Sequence, residues 1–180
     1  AFLDGCRQAD FKITDVAVKP LKRTPAPPFT TSTLQQEASR RLSFVPSQTM
    51  RIAQALYEGI NIPGHGHVGL ITYMRTDSLR ISNEALTPCR EFIKNHYSSD
   101  YLPEKPNIYG ATGKSKNKVQ DAHEAIRPTD VNLTPESIKD ALTPEQYKLY
   151  SLIWRRFVAG QMTPAISAKA VLKAEAGRVG

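Results

Sequence analysis

Residues 28–60, PFTTSTLQQEASRRLSFVPSQTMRIAQALYEGI, carry the pattern of two consecutive helices and decide the fold class. Ser32, followed three residues later by Gln35, forms the capping-box pattern with which a helix begins. Apolar residues then recur at helical spacing, at Leu34, Ala38 and Leu42. This half of the stretch therefore predicts an amphipathic helix that starts close to Phe29, with Thr31 and Ser32 interpreted as its cap.

The second half predicts another short helix. We expect Pro46 to interrupt the chain and Ser47 to cap the helix that follows. Gly59 would lie near its end. Its buried face would consist of Ile52, Ala53, Leu56, Tyr57 and Ile60. Two short helices with a tight link are typical of a helix-turn-helix and equally of an ordinary helical hairpin.

Further helices are predicted downstream. Ser82 or Asn83 could cap one of them, and Pro88 inside its pattern should kink it or delay its start. Residues 134–136 and 143–145, both Thr-Pro-Glu, each combine a cap, a first-turn proline and an acid. The second of these predicts the strongest helix of the chain, with apolar residues at helical spacing at Tyr147, Tyr150, Trp154, Phe157 and Val158.

Strands are predicted at both ends of the chain. Residues 11–19, FKITDVAVK, are β-branched and roughly alternating, and the prolines from Pro20 onward should break this strand. The run AISAKAVLKAEA, from Ala165 onward, could be a strand that returns to the first. Between the helices, residues 98–119 lack periodicity and predict a mobile surface loop.

The pattern as a whole predicts a mainly α fold with short β segments. We expect a helical domain at 28–164 inserted into a small β-rich domain, whose two ends are residues 1–27 and 165–180. A length of 180 residues with 40% hydrophobic residues is enough for one packed core. Because the chain begins without Met and in the middle of a pattern, we interpret it as a fragment.

Composition narrows the function classes. The net charge of +7 and the pI near 9.5 favour a polyanionic partner such as nucleic acid, without proving one. The two cysteines, Cys6 and Cys89, form neither a disulfide framework nor a zinc site, which favours a reducing, cytoplasmic setting. No run approaches about 18 consecutive apolar residues, so no membrane span or membrane partner is expected.

The first candidate for chemistry is the run Tyr73-Met74-Arg75-Thr76-Asp77-Ser78. A phenol has an ordinary pKa of about 10 and is a poor nucleophile unless positive charge is near. In an extended segment Arg75 would point the same way as Tyr73, and its guanidinium can bind a phosphate by two hydrogen bonds. On spacing alone, a tyrosine at a strand edge beside a surface arginine explains the run equally simply.

The second candidate is residues 121–128, DAHEAIRP. We expect a short helical turn around 120–126 that stops before Pro128. If the stretch is helical, His123 and Arg127 lie on one face. Both side chains can contact phosphate oxygens, and the histidine can also transfer a proton. A capped turn with solvated charges would explain the same residues if the segment stood alone.

These two motifs resemble the signature segments of bacterial type IA DNA topoisomerases. The resemblance rests on GLITYMRTDS at 69–78 and QDAHEAIRPTD at 120–130. Three further segments match the same family in the same order, at 28–42, 101–109 and 149–165. The similarity covers roughly residues 20–166, which makes a chance match of five ordered segments implausible.

The resemblance implies a role for each motif residue. In that family the tyrosine attacks a single-stranded DNA phosphate and forms a 5′-phosphotyrosyl bond, a role that falls on Tyr73. Arg75 would contact the scissile phosphate, and His123 would contact phosphate or relay a proton. Asp77 and Arg127 match motif positions and would bind DNA or brace the site. The full-length enzyme would relax negatively supercoiled DNA by strand passage.

The resemblance also implies what this chain lacks. Mg²⁺ would be bound by acidic residues of another domain of the full-length enzyme, and no ATP would be needed. No Asp-x-Asp pair or Cys₄ module occurs here, so we expect no metal in this chain and no relaxation by this chain alone. His65 and His67, in the glycine-rich stretch 61–69, are interpreted as part of a flexible loop, since two histidines are a weak metal signal.

Two other functions remain open on the sequence. A non-catalytic DNA-binding module would use the helix pair to read bases, and its DNA affinity would not depend on the Tyr73 hydroxyl. A helical interaction domain would bind no DNA, and the net charge argues against it only weakly. The most informative observation would be whether Tyr73, Arg75 and His123 converge on one exposed surface.

Overall fold

The computed structural model describes Arg7 and residues 9–110 and 123–177 of the chain. Its elements are β1 (Phe11–Arg23), α1 (Thr31–Leu42), α2 (Pro46–Glu58), β2 (Ile60–Ile62), β3 (Gly66–Val68), α3 (Asn83–His96), α4 (Pro144–Gly160) and β4 (Ala165–Ala176). Two compact units result. One unit comprises Ala1–Thr24 with Pro164–Gly180, and the other comprises Pro25–Thr163.

The first unit is built on a two-stranded antiparallel ribbon. β1 pairs with β4 from Phe11 opposite Ala176 to Arg23 opposite Ala165, which confirms the returning strand. At 13 and 12 residues these strands are longer than the short segments that we expected. The predicted break at Pro20 is wrong, since Pro20 pairs with Ala168 inside the ribbon. Each strand of a two-stranded ribbon has a free edge, where a missing N–H costs no hydrogen bond.

The helix pair of the second unit is present, but its caps differ from the prediction. The cap of α1 is Thr30, whose side chain accepts a hydrogen bond from the Thr33 N–H in a reciprocal capping box; Ser32 and Gln35 do not form it. α2 begins at Pro46 after Val45, without a side-chain cap. Pro46 therefore starts the helix instead of interrupting the chain, because a first-turn proline loses no hydrogen bond.

Two of the other predicted helices also differ from expectation. Ser82 occupies the N-cap position of α3, but its side chain makes no capping hydrogen bond. The helix continues through Pro88, and the delayed start that was one of the two expected effects of this proline is absent. Residues 134–136 begin only turns and the short 3-10 helix Lys139–Ala141. In contrast, Thr143 and Gln146 form a full capping box, which confirms the start of α4. The same Thr-Pro-Glu signal thus begins a long helix only where a long apolar stripe follows it.

The loop predicted at 98–119 is ordered in its first part. It contains the 3-10 helix Ser99–Tyr101. Asn107 then anchors the chain, because its side-chain amide donates hydrogen bonds of 2.9 Å to the carbonyl oxygens of both Gly160 and Met162. Residues 111–122, including the rest of this loop, lie outside the described residues.

The core of the second unit lies around α4. Tyr150 and Trp154 are buried, and each satisfies its polar atom on a backbone carbonyl. The Tyr150 hydroxyl donates to Leu133 O at 2.6 Å, and the Trp154 indole N–H donates to Val131 O at 2.9 Å. These bonds remove the cost of burying polar atoms and tie the irregular segment 131–133 to the helix. α1 and α2 also pack against α4, so the helix pair serves as scaffold.

Candidate active site

In the segment that contains Tyr73, buried and exposed side chains alternate. Met74, Thr76 and Ser78 are buried, whereas Tyr73, Arg75 and Asp77 are exposed. Successive side chains of this segment are thus alternately buried and exposed, although its backbone bends at Thr72, Met74 and Arg75. Burial of the intervening residues therefore presents the three motif residues to solvent together.

Thr31, the first residue of α1, fixes the backbone of this segment. Its hydroxyl lies 2.8 Å from Met74 O and 3.0 Å from Thr76 O, and it accepts a hydrogen bond of 2.9 Å from the Thr76 N–H. Its own N–H donates to Thr76 O at 2.8 Å. Sequence reasoning interpreted Thr31 only as part of a helix cap, because nothing local to it points to a partner 43 residues away.

Thr72 joins the Tyr73 segment to the His123 segment. Its N–H donates to Arg127 O at 2.9 Å, and its hydroxyl donates to Ala125 O at 2.7 Å. The Arg127 N–H in turn donates to the Thr72 hydroxyl at 3.0 Å. Residues 123–128 are not helical, and Ile126 and Pro128 form β-bridges to Phe29 and Ile71, so the helical turn predicted around 120–126 is wrong for 123–126. Residues 120–122 of that turn lie outside the described residues.

These bonds bring the tyrosine and the histidine together. The Tyr73 ring lies 5.6 Å from the His123 ring between centroids, at an interplanar angle of 34°. The Tyr57 ring also contacts the Tyr73 ring edge-on, with its centroid 5.4 Å from that of Tyr73. Tyr57 was predicted to be buried but is 40% exposed, close to the 37% of Tyr73. It was missed because it continues the apolar stripe of its helix.

Arg127 is turned inward. Its guanidinium donates to one carboxylate oxygen of Glu124 at 2.8 Å through Nε and at 2.5 Å through a terminal nitrogen, and to Pro128 O at 3.0 Å. Both side chains of the pair are largely buried. Burial alone would raise the pKa of Glu124, but the Ser82 hydroxyl and the Arg127 charge more than compensate and lower it.

Loss of the Glu124 charge should therefore destabilise the fold under neutral conditions. A carboxyl whose pKa is lowered by folding stabilises the protein above its unfolded pKa, and this contribution is lost as the pH falls through the folded value. Glu124→Gln should lower the urea midpoint at pH 7 and reduce its fall between about pH 5 and pH 3.

The matched control is Glu136→Gln, which removes the partner of Arg155 in a pair exposed on both sides. Because exposed pairs contribute about 0–1 kcal/mol, this substitution should change the pH 7 midpoint little. Equal effects of the two substitutions would contradict the bracing role of the Glu124–Arg127 pair.

Removal of the Thr31 hydroxyl should loosen the Tyr73 segment. Thr31→Val keeps the shape of the side chain but leaves the Thr76 N–H without its partner, which costs about 1–3 kcal/mol of unfolding free energy. Denaturant unfolding measures this loss, and Thr31→Ser should restore most of it.

Thr87→Val is the control for Thr31→Val, since the Thr87 hydroxyl bonds only to the preceding turn of its own helix, at Asn83 O, and is exposed. Unchanged stability of Thr31→Val would show that its hydroxyl does not hold the segment.

The histidines of the stretch 61–69 have structural surroundings. The stretch is not simply a loop, because it contains the hairpin of β2 and β3. The two ring nitrogens of His67 each lie 3.2 Å from a hydrogen-bond partner, Asn61 Oδ1 and Glu58 O.

Within 9–110 and 123–177 no group of three or more His, Cys, Asp or Glu residues is arranged to hold a metal ion. No helix in the same residues is long and apolar enough to cross a membrane.

Comparisons with known proteins agree on one family. The family described as DNA topoisomerase matches residues 1–179. DNA topoisomerase 1 of Xylella fastidiosa strain Temecula1 is 55% identical over 159 residues, which are 88% of this chain and 19% of that protein. DNA topoisomerase 1 of Campylobacter jejuni is 52% identical over 165 residues, 92% of this chain and 23% of that protein.

A solved structure gives the same result at the level of the fold. Full-length topoisomerase I from Thermotoga maritima superposes with a TM-score of 0.78 at 40% identity, covering 95% of this chain and 26% of that one. The chain thus spans about a fifth to a quarter of the length of these relatives. Since the family match extends over nearly its whole length, the chain belongs to the bacterial type IA DNA topoisomerase family.

Proposed function

We propose that this chain is the tyrosine-bearing part of an enzyme that cleaves and reseals single-stranded DNA through Tyr73. The observation that carries the proposal is the placement of Tyr73. Its ring is partly exposed and contacts both the Tyr57 and the His123 rings. The backbone beneath it is pinned by Thr31 and Thr72. A nucleophile held in this way loses little freedom when DNA binds, which favours reaction.

In the proposed step, the phenolic oxygen of Tyr73 attacks a backbone phosphorus. A bond forms between the tyrosine oxygen and phosphorus, and the bond from phosphorus to the 3′ oxygen breaks. The phenol proton is lost and the 3′ oxygen gains one, so the products are a 5′-phosphotyrosyl diester and a free 3′-OH. Since one diester replaces another, the step is reversible without ATP.

Arg75 and His123 are proposed to act on the phosphate. Both are exposed, as a group that contacts DNA must be. The Arg75 guanidinium would donate hydrogen bonds to non-bridging oxygens and offset the charge that grows in the transition state. His123, against the Tyr73 ring, would contact a phosphate oxygen or relay the phenol proton. Asp77 is exposed and is proposed to lie along the DNA path, whereas Arg127 braces the site through Glu124.

Mg²⁺ is proposed to be bound outside this chain. The described residues provide no group of three acidic, histidine or cysteine side chains for an ion, so no step above uses one. The remaining domains of the same enzyme would hold Mg²⁺, and together with this part would pass one strand through the break. The substrate would be negatively supercoiled DNA with single-stranded character, and the enzyme would act in the cytoplasm, at the nucleoid.

Identification of the DNA-linked residue tests this proposal. The full-length enzyme is incubated with a single-stranded oligonucleotide and Mg²⁺, denatured to trap the adduct, and digested with protease and nuclease. Mass spectrometry should find the 5′ phosphate on the peptide that contains Tyr73. A 5′ phosphate on any other residue would exclude Tyr73 as the nucleophile. Failure to detect any adduct with an enzyme that relaxes DNA would exclude it as well.

A further inference from the structure

A groove of about 560 Å³ lies between α1 and α4 and shares no lining residue with the Tyr73 surface. Four of its lining side chains are cationic: Arg41 from α1, and Lys148, Arg155 and Arg156 from α4. Its acidic lining residue is Glu37. A groove lined in this way carries a surplus of positive charge and favours a polyanion.

The charge surplus persists after the ion pairs are counted. The Glu37 carboxylate is shared by three guanidiniums, those of Arg40 at 2.9 Å, Arg41 at 2.6 Å and Arg156 at 3.6 Å. One negative charge therefore holds three positive ones in place and neutralises only one of them. Arg155 is paired with Glu136 at 3.4 Å and adds nothing to the surplus, whereas Lys148 contributes to it. Because Glu37 already orders these side chains, an incoming phosphate would pay less of the entropy needed to fix them.

The groove is also lined by aromatic and apolar side chains. Tyr147 contributes an aromatic ring, and Leu42 and Leu152 contribute apolar surface. Ser151, 7% exposed, also lines the groove, and its hydroxyl has no hydrogen-bond partner within the protein. Cations combined with an aromatic ring are the composition with which proteins bind single-stranded nucleic acid, since the ring stacks on a base and the cations contact phosphates.

The groove is also connected to the candidate active site through packed residues. The Arg156 guanidinium lies over the Phe29 ring, 4.4 Å from its centroid. Phe29 O accepts a hydrogen bond of 2.8 Å from the N–H of Ile126, three residues after His123. Phe29 itself is fully buried. DNA held in the groove would thus be bound to the same rigid body that carries the nucleophile.

We propose that this groove binds a second segment of single-stranded DNA, with phosphates on Arg41, Lys148 and Arg156 and a base against Tyr147. The proposal rests on the DNA substrate of the proposed function but not on the chemistry of Tyr73. A strand retained here would stay with the tyrosine-bearing part while the break is open.

Fluorescence anisotropy of a labelled oligothymidylate with the 180-residue chain tests the groove. The double variant Arg41→Gln/Lys148→Gln should bind about tenfold more weakly at low salt, because two phosphate contacts are lost. The slope of log K against log salt should become shallower by about 1.4, the value for two phosphates on a single strand. Tyr147→Ala should weaken binding several-fold with the salt slope unchanged.

The matched control is Arg51→Gln/Lys94→Gln. It removes the same net charge, including one arginine paired with a glutamate, from residues that do not line the groove. Equal weakening of binding by both double variants would overturn the proposal. A competition measurement gives a second test: if polyglutamate displaces the oligonucleotide as effectively as unlabelled DNA of equal charge, the ligand is an acidic peptide and the proposal is overturned.

The same measurement in a Tyr73→Phe background separates this proposal from the proposed function. Binding does not require the nucleophilic oxygen, so the tenfold difference should persist there. Persistence would support the groove even if Tyr73 were shown not to be the nucleophile. Disappearance of the difference would place the lost contacts at Tyr73 and refute the groove.

Discussion

The full-length enzyme with Tyr73→Phe should relax negatively supercoiled DNA at least about a thousandfold more slowly than the unaltered enzyme, since loss of a nucleophile removes a whole chemical step. Phenylalanine keeps the ring that packs against Tyr57 and His123 and removes only the oxygen. The substitution should therefore leave folding and DNA binding intact. Relaxation is followed by gel electrophoresis, and adduct formation by transfer of a labelled 5′ phosphate to protein.

Tyr57→Phe is the sharpest control for this substitution. Tyr57 lies beside Tyr73 and is exposed to nearly the same degree, so it is the neighbouring phenol that could be mistaken for the nucleophile. This variant keeps the edge-on ring contact and should retain relaxation and adduct formation. Relaxation by Tyr73→Phe together with loss of activity in Tyr57→Phe would show that Tyr57, and not Tyr73, is the nucleophile. Activity in both variants would favour a non-catalytic DNA-binding role for this part.

The 180-residue chain alone should show no relaxation of supercoiled DNA, even at concentrations at which it binds single strands. The leaving 3′ oxygen needs a proton or a metal ion nearby, and the described residues offer no metal cluster to provide one. Strand passage also requires that both ends of the break be held by parts that separate. A single tyrosine-bearing unit holds only the end to which it is linked.

The comparison uses equal molar amounts of the chain and the full-length enzyme, with Mg²⁺, on the same plasmid. The oligonucleotide anisotropy measurement shows that the chain is folded and binds DNA in the same buffer. Relaxation by the chain that is lost in its own Tyr73→Phe variant would show that the remaining domains are dispensable. Relaxation that persists in that variant would indicate a contaminating enzyme.

Local patterns predicted the elements whose signals lie next to one another in the chain. Thr143, Pro144 and Glu145 precede a long apolar stripe, and α4 starts there. The same signals failed where a distant partner or a free edge decided the outcome. Pro20 stays in a strand because the two-stranded ribbon has a free edge. Residues 123–126 are not helical, because Ile126 forms a β-bridge to Phe29 and Ala125 O accepts a hydrogen bond from the Thr72 hydroxyl.

The candidate site divides in the same way. Tyr73, Arg75 and His123 were identified from sequence motifs whose roles the resemblance to a family supplied. Thr31 and Tyr57 were not, since one was interpreted as a helix cap and the other as core. Their positions in the site depend on contacts with residues far along the chain, and no periodicity contains that information.

The sequence by itself indicated the family, through five segments in a fixed order, and predicted the start of α4, because the signal at Thr143, Pro144 and Glu145 lies within a few positions. Only the tertiary structure decided that two motifs about 50 residues apart share one surface. Buried polar groups must find partners, and the Thr72 hydroxyl finds them at Ala125 and Arg127. These hydrogen bonds join the two motifs and thereby place the Tyr73 ring against the His123 ring.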